Sequence, residues 1–297
     1  MRLQRRLVSP RRRVLIGMLV PCYLAVLFGA PLALAGAGVF LAPSLGLRLA
    51  ALAAAPMVLI CSFALLAGSL SRLTLRSIVE GKFPRDLGHQ QYGPRRLYAL
   101  CWTSLYYCGP IYHAVLAIPA LRFVTLRLFG YRGSLDFQTY PDTWLRDLPL
   151  LTIGRGAYLS NKATVSPNMC LRNGKIIVSP VTIGERTMIG HLAMIAPGVS
   201  VGTDSEVGVG AGIGVNVRIG NRTTVDHEAV LDHECVVGNN CVVGNGAYVG
   251  RRAVIHDGIR IPPRAVVPAA TVVATQGEAL NLSGTPENAF AAVSEAL

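Results

Sequence analysis

From Ile153 onward a branched aliphatic residue returns at every sixth position, through Leu159, Val165, Leu171, Ile177, Ile183 and Ile189 to Ile261, Val267 and Val273. All 21 of these positions are Leu, Ile or Val, and the phase never slips. A period of six is neither the alternation of a single strand nor the 3.6-residue repeat of a helix. A short unit repeated this many times predicts stacked coils. The residue after the aliphatic is often glycine (Gly184, Gly190, Gly202, Gly208, Gly214, Gly220), and the fifth of each unit is usually small (Ala157, Ala193, Ala211, Cys235, Cys241, Ala247). Three units make one triangular coil of 18 residues. The aliphatic side chain fills the interior, the small residue sits beside it at the corner, and glycine relieves the turn. Coils then stack at about 4.8 Å. The pattern predicts a parallel β-helix of about seven coils within residues 151–275. In the tail, 276–297, the stretch Pro286–Leu297 reads as a short capping helix.

The first half follows another rule. Val14–Leu47 contains no charged residue, Arg48 interrupts, and Leu49–Ser71 is again uncharged. About 20 apolar residues cross a bilayer core as a helix, so residues 1–72 predict a basic tail and a transmembrane hairpin turning at Pro43 and Ser44. A second span following at once argues against a cleaved signal peptide. Residues 73–150 form a juxtamembrane region. Within it Leu97–Leu121 lacks Lys, Arg, Asp and Glu but holds Trp102, Tyr106, Tyr107, Tyr112, His113, Pro110 and Pro119, which suggests an interfacial or re-entrant helix; the alternative, a third span, would place the rest of the protein outside.

Composition agrees: 52% of residues are hydrophobic and 15% charged, and the mean hydropathy of +0.45 is too apolar for an ordinary soluble chain. The net charge of +12 belongs wholly to the first half, where 17 basic residues face 5 acidic ones, against 11 and 11 in the second. Basic residues flanking apolar spans speak for a membrane surface rather than nucleic acid. Six arginines precede the first span and Arg72, Arg76, Lys82 and Arg85 follow the second, with only Arg48 between. The positive-inside rule then places both ends in the cytoplasm: a multi-pass protein of a bacterial-type inner (cytoplasmic) membrane, its β-helix on the cytoplasmic side. Seven cysteines, odd in number and without metal-ligand spacing, read as free thiols.

This six-residue pattern resembles the left-handed parallel β-helix of the hexapeptide acyltransferase superfamily. Three histidines, His191, His227 and His233, share one position, the second after the inward aliphatic. His191 and His227 are two coils apart on one corner, about 10 Å by the strand spacing, and His233 lies on a neighbouring corner. Leu231-Asp232-His233-Glu234-Cys235-Val236-Val237-Gly238 resembles the catalytic segment of sugar acetyltransferases of the sialic-acid and bacillosamine type. The resemblance implies His233 as general base, Glu234 orienting or polarising it, and a backbone N–H one coil on, near Gly250 and Arg251, for the oxyanion. His227, in the near-copy Val225-Asp226-His227-Glu228-Ala229, is a second polar contact for the acceptor or the base itself. Arg251, Arg252, Arg260 and Arg264 are candidates for pairing with coenzyme A phosphates. Cys235 and Cys241 fall on inward positions and read as core thiols.

Leu128-Phe-Gly-Tyr-Arg-Gly, Tyr140-Pro-Asp, Leu150-Leu-Thr-Ile-Gly and the stretch from Asn173 to Gly190 are similar to the membrane-embedded terminal domain of poly-lysine-synthetase-type nonribosomal peptide synthetases, which implies a β-helix held against a membrane. Ile189-Gly190-His191 resembles part of the zinc site of γ-class carbonic anhydrases. A catalytic zinc needs three protein ligands, and Ala196 stands at the partner histidine's place, so no metal is expected. The expectation is a membrane-anchored acyltransferase, most simply an acetyltransferase, using acyl-CoA on an amine or hydroxyl of a sugar, lipid-linked or other envelope or natural-product precursor. The superfamily resemblance implies a homotrimer. The competing class is a non-catalytic β-helical scaffold.

Overall fold

A computed structural model describes residues 10–86 and 88–282 and divides the chain into two compact units. The predicted helix at Pro286–Leu297 lies outside the described residues. The first unit runs to Ile78 and resumes over Pro84–Gly130. It contains α1 (Pro10–Phe40), α2 (Leu45–Arg72), α3 (Tyr92–Tyr107), α4 (Gly109–Ala117) and α5 (Pro119–Leu128). Two stretches, Val20–Phe40 and Leu45–Arg72, are long and apolar enough to cross a membrane. They meet at the predicted turn, where the Ser44 side chain accepts the Leu47 N–H and starts α2.

Between α1 and α2, Phe28 and Phe63 meet edge to face at 5.0 Å. Leu32, Leu34, Leu45 and Leu52 stay exposed. On α2, Gly68 lets α5 approach closely, since a Cβ there would stand 2.8 Å from the Cβ of Leu128. The uncharged stretch around 97–121 is not one helix. The chain breaks at Cys108 and again at Ile118, ahead of Pro119, and α4 and α5 are bent by 110°. Trp102 packs edge-on against Tyr112 and Phe129, and the Tyr98 hydroxyl donates to the Phe129 carbonyl.

The second unit joins Val79–Phe83 to the chain from Tyr131 on and is a β-solenoid with three parallel faces of seven strands each. The first face runs from Phe137–Thr139 to Arg260–Ile261, the second from Trp144–Leu145 to Val266–Val267, and the third from Leu151–Ile153 to Val272–Val273. Their inward aliphatics form the core. Of the 21 predicted positions, all except Leu171 and Ile177 are buried. A short helix, α6 (Gln276–Leu280), follows, opened by a capping box between Thr275 and Glu278.

Two features differ from the repeat phase. The solenoid begins at Phe137, ahead of the predicted 151, because Phe137–Thr139 and Trp144–Leu145 pair with Ala157–Leu159 and Thr164–Val165. Leu171 and Ile177 do not line the interior. Asn168–Cys170 and Lys175–Val178 leave the coil as an antiparallel hairpin, whose second strand also pairs with Gly81–Pro84. Val165 and Ile183 therefore lie eighteen residues apart where successive inward residues such as Ile195 and Val201 lie six apart. The excess is twelve, a multiple of six, so the sequence phase passes through the insertion unbroken.

Nor do the glycines after the aliphatic relieve φ. Gly184, Gly202 and Gly220 have ordinary backbone angles but lie against the next coil; a Cβ on Gly202 would meet Gly220 backbone atoms at 2.5 Å. The left-handed conformation falls two residues later in each unit, as at Arg186, Leu192, Asp204, Glu228, Glu234 and Arg252.

Candidate functional site

Each unit turns through the two residues after its outward corner, and the second residue after the inward aliphatic plays a fixed part there. The Thr203 N–H donates to Asn221 Oδ1, the Asn221 N–H to Asn239 Oδ1, and the Asn239 N–H to Asp257 Oδ1, at 2.7 to 2.8 Å. On the edge between the first and second faces His227 Nδ1 accepts the Val209 N–H at 3.0 Å. Between the second and third faces His233 Nδ1 accepts the Val215 N–H at 2.9 Å. Every one of these bonds links a residue to the one eighteen before it. The two histidines thus close a turn as asparagine does elsewhere, a role the sequence reading did not assign them.

These bonds also fix tautomers. A backbone N–H only donates, so Nδ1 of His227 and of His233 is an acceptor and the neutral ring carries its proton on Nε2. His191 is the opposite case. Its Nδ1 lies 2.9 Å from the backbone carbonyl oxygen of Asn161, which only accepts, so the proton is on Nδ1. The register of Met188, Glu206 and Thr224 sets His191 and His227 two coils apart on one edge, as expected. No group of three or more His, Cys, Asp or Glu placed to hold a metal occurs among the described residues.

Glu234 sits in the left-handed turn position, with φ 64°, which aims its carboxylate at the next coil. Arg252 Nε reaches Oε2 at 2.6 Å and Arg251 donates to Oε1 at 2.8 Å. The two guanidinium hydrogen bonds hold this carboxyl down to about 2. Glu234 is thereby engaged with two of the candidate phosphate-binding arginines rather than with the imidazole. The carboxylate beside the ring belongs to Asp232: its Oδ1 accepts the His233 backbone N–H at 2.6 Å and lies 3.6 Å from Nδ1. Asp232 Oδ2 accepts the Tyr248 hydroxyl at 3.0 Å. Neither Asp232 nor Tyr248 was singled out from the sequence. A usable signal existed in the acidic residue at a place where glycine is the commonest residue, although Asp226 shares it.

One coil on, the Gly250 N–H donates to the Val267 carbonyl at 2.8 Å and is not available to a ligand. The Arg251 N–H, by contrast, has no acceptor among the described residues, as is also true of the His227 and Asn245 N–H groups; Ala269, eighteen residues later, lacks the side chain that caps the equivalent amides of Thr203, Val209, Val215, Asn221 and Asn239. Arg264, with φ 59°, lies on the other edge, two coils beyond Glu228, so the four predicted cofactor contacts do not share one edge. Cys235 and Cys241 are buried as expected, and burial pushes the Cys235 thiol up to about 12.

Residues 216–251 match the family model of the bacterial transferase hexapeptide (six repeats). That stretch contains His227, His233, Glu234 and Arg251. No curated protein matches the chain. Among solved structures, a perosamine N-acetyltransferase variant from Caulobacter crescentus in complex with CoA and GDP-perosamine is similar at 17% identity and a TM-score of 0.37, covering 49% of this chain and 63% of that one. The acetyltransferase domain of PglB from Neisseria gonorrhoeae in complex with acetyl coenzyme A has 16% identity and a TM-score of 0.30, covering 52% and 62%. A hexapeptide transferase family protein from Anaplasma phagocytophilum has 21% identity and a TM-score of 0.30, covering 49% and 96%. The match spans less than two thirds of the Caulobacter and Neisseria chains.

Proposed function

We propose that this chain is a membrane-anchored acyltransferase that moves an acyl group, acetyl in the simplest case, from acyl-CoA to an amine or hydroxyl of a sugar, lipid-linked or other envelope or natural-product precursor. One observation carries the reading. Within the stretch that matches the transferase repeat, the Arg251 N–H lacks a partner one coil beyond His233, where an amide is needed to hold the oxyanion of a thioester under attack. His233 takes the acceptor's proton as the acceptor lone pair bonds to the thioester carbon, and returns it to the coenzyme A sulfur as the C–S bond breaks. Arg251 and Arg252, on the same edge, meet the coenzyme's phosphates in this reading, with Glu234 holding the two guanidinium groups. His227 is the second polar contact for the acceptor.

A homotrimer fits the uncharged outward side of the second face, where Thr164, Met194, Gly212, Val230, Tyr248 and Val266 follow one another. The two apolar helices and the flanking arginines support an inner-membrane anchor with the solenoid on the cytoplasmic side.

The turn-closing bonds favour a second reading, a β-helical scaffold, because they give both histidines a structural task. Calorimetry with acetyl-CoA decides between the two. Saturable binding that a His227/His233 double variant loses supports the transferase; no binding by the wild-type chain leaves the scaffold.

A further inference from the structure

The proton on Nε2 sets a requirement that the proposed reaction must meet. A base acting through the outer nitrogen of His233 needs a lone pair there, so the ring proton has to be on Nδ1. That proton cannot face the Val215 N–H, since two donors would meet. It needs an acceptor, and Asp232 Oδ1 lies 3.6 Å away, so the ring must move toward it to come within hydrogen-bonding range, at the cost of the bond from Val215.

We infer that Asp232, held by Tyr248, selects the base-competent tautomer of His233, and that the ring has two seats: Nδ1 on the Val215 amide with the proton outward, and Nδ1–H on Asp232 with the lone pair outward. The inference rests on the transferase reading for its purpose but not for its chemistry. Asp232 and Tyr248 are positioning residues. Tyr248 is 8% exposed and its hydroxyl donates to Oδ2, leaving Oδ1 to serve the ring and the His233 backbone N–H. Burial and the Asp232 carboxylate push the Tyr248 hydroxyl up to about 12, so it remains a donor throughout the working range. Of the neighbouring charged or titratable groups, Glu234, Arg251 and Arg252 bind one another, and the Cys235 thiol is buried. Exchange between the seats is balanced: one proton leaves Nε2 to water and one is taken up at Nδ1.

The repeat itself supplies the test. Pro197 occupies, one coil earlier, the place Val215 occupies, so the corner accommodates a residue without an N–H. Val215→Pro therefore removes the competing donor and puts the proline Cδ where the N–H pointed at Nδ1, so the ring must leave that seat. In the full chain in detergent micelles, labelled with 15N-histidine and held at a pH where the ring is neutral, wild-type His233 shows Nε2 protonated. Val215→Pro shifts the ratio toward Nδ1–H by about fivefold or more, the size a single hydrogen bond gives. Adding Asp232→Asn cancels most of that shift, and adding Tyr248→Phe reduces it. His227, whose Val209 amide is untouched, keeps Nε2 protonated in every variant and reports that the fold is intact.

A wild-type ring already protonated on Nδ1, a Val215→Pro ring that stays Nε2–H, or a shift that survives Asp232→Asn overturns the inference. None of these outcomes bears on whether acetyl-CoA binds. A chain that shows the two seats but never binds acetyl-CoA refutes the transferase reading alone.

Discussion

His233 accepts the backbone N–H of Val215 through Nδ1 at 2.9 Å, and Asn221 does the same for Thr203 through Oδ1 at 2.8 Å. Two side chains as different as imidazole and carboxamide thus fill one place in the repeat. What distinguishes His233 is its second nitrogen.

That equivalence separates architecture from chemistry by mutation. His233→Asn retains an acceptor for the Val215 amide and should melt within about 0.5 kcal/mol of wild type, whereas His233→Ala loses the bond and about 1 kcal/mol, less if water replaces it. Both should lower coenzyme A release from acetyl-CoA at least about a hundredfold, the scale of general-base catalysis. Thermal melts and thiol-release rates measured side by side check both parts. Near-normal turnover in His233→Asn refutes His233 as the base.

The Glu234 carboxyl, held at about 2, is below its ordinary 4.5 because two guanidinium groups bind its charged form. A group depressed on folding adds stability above its unfolded value, and the contribution fades as pH falls through the window from about 4.5 to about 2. Arg252→Ala should raise the titration of Glu234 toward the ordinary range, read from its side-chain carboxyl 13C shift. Glu234→Gln should flatten the part of the acid-unfolding curve inside that window. The pair is solvent-exposed and screened, so the effect shrinks at high salt.

Gly220 lies against the next coil, where a Cβ would stand 2.6 Å from Gly238 carbon and oxygen. Both are backbone atoms held in the stacking ladder and cannot give way. Gly220→Ala should cost about 1 to 3 kcal/mol, seen as a lower melting temperature. Gly174, at the tip of the inserted hairpin, meets no atom within 4 Å but has φ 75°, so its alanine variant carries only the milder conformational penalty.

The hairpin offers a test of phase. Deleting Asn168–Ser179 removes twelve residues and leaves Val165 and Ile183 six apart, so the coils on either side can join in register. Deleting one residue fewer rotates every later aliphatic out of the interior. Circular dichroism should show a cooperative melt for the first deletion and loss of the solenoid signal for the second.

Much of the fold was legible because inward burial every sixth residue is a one-dimensional property. From Ile183 to Val273 the aliphatic positions alone place each strand. Two apolar stretches of helix length were equally plain, since a bilayer demands length and apolarity without reference to the rest of the chain. The hairpin at 168–178 was invisible because its length preserves the phase. The early coil at Phe137 and Trp144 was hidden because its 20-residue spacing does not fit six.

At the candidate site the sequence determined which residues stand on which edge: the six-residue period alone puts His191 and His227 on one and His233 on the next. Only the tertiary structure decided what each ring nitrogen does. A hydrogen bond between coils joins residues eighteen apart, or thirty where the inserted hairpin intervenes, and whether the partner is an amide of Val215 or a carbonyl of Asn161 depends on how the backbones stack. The same holds for the carboxylates. Glu234 follows the histidine in sequence, yet its left-handed φ turns it to Arg251 and Arg252, while Asp232 precedes the histidine and lies at the ring. Burial along a chain can be read from residue type because it is a property of each side chain. The direction of a polar group cannot, because it is set by the partner that another coil brings to it.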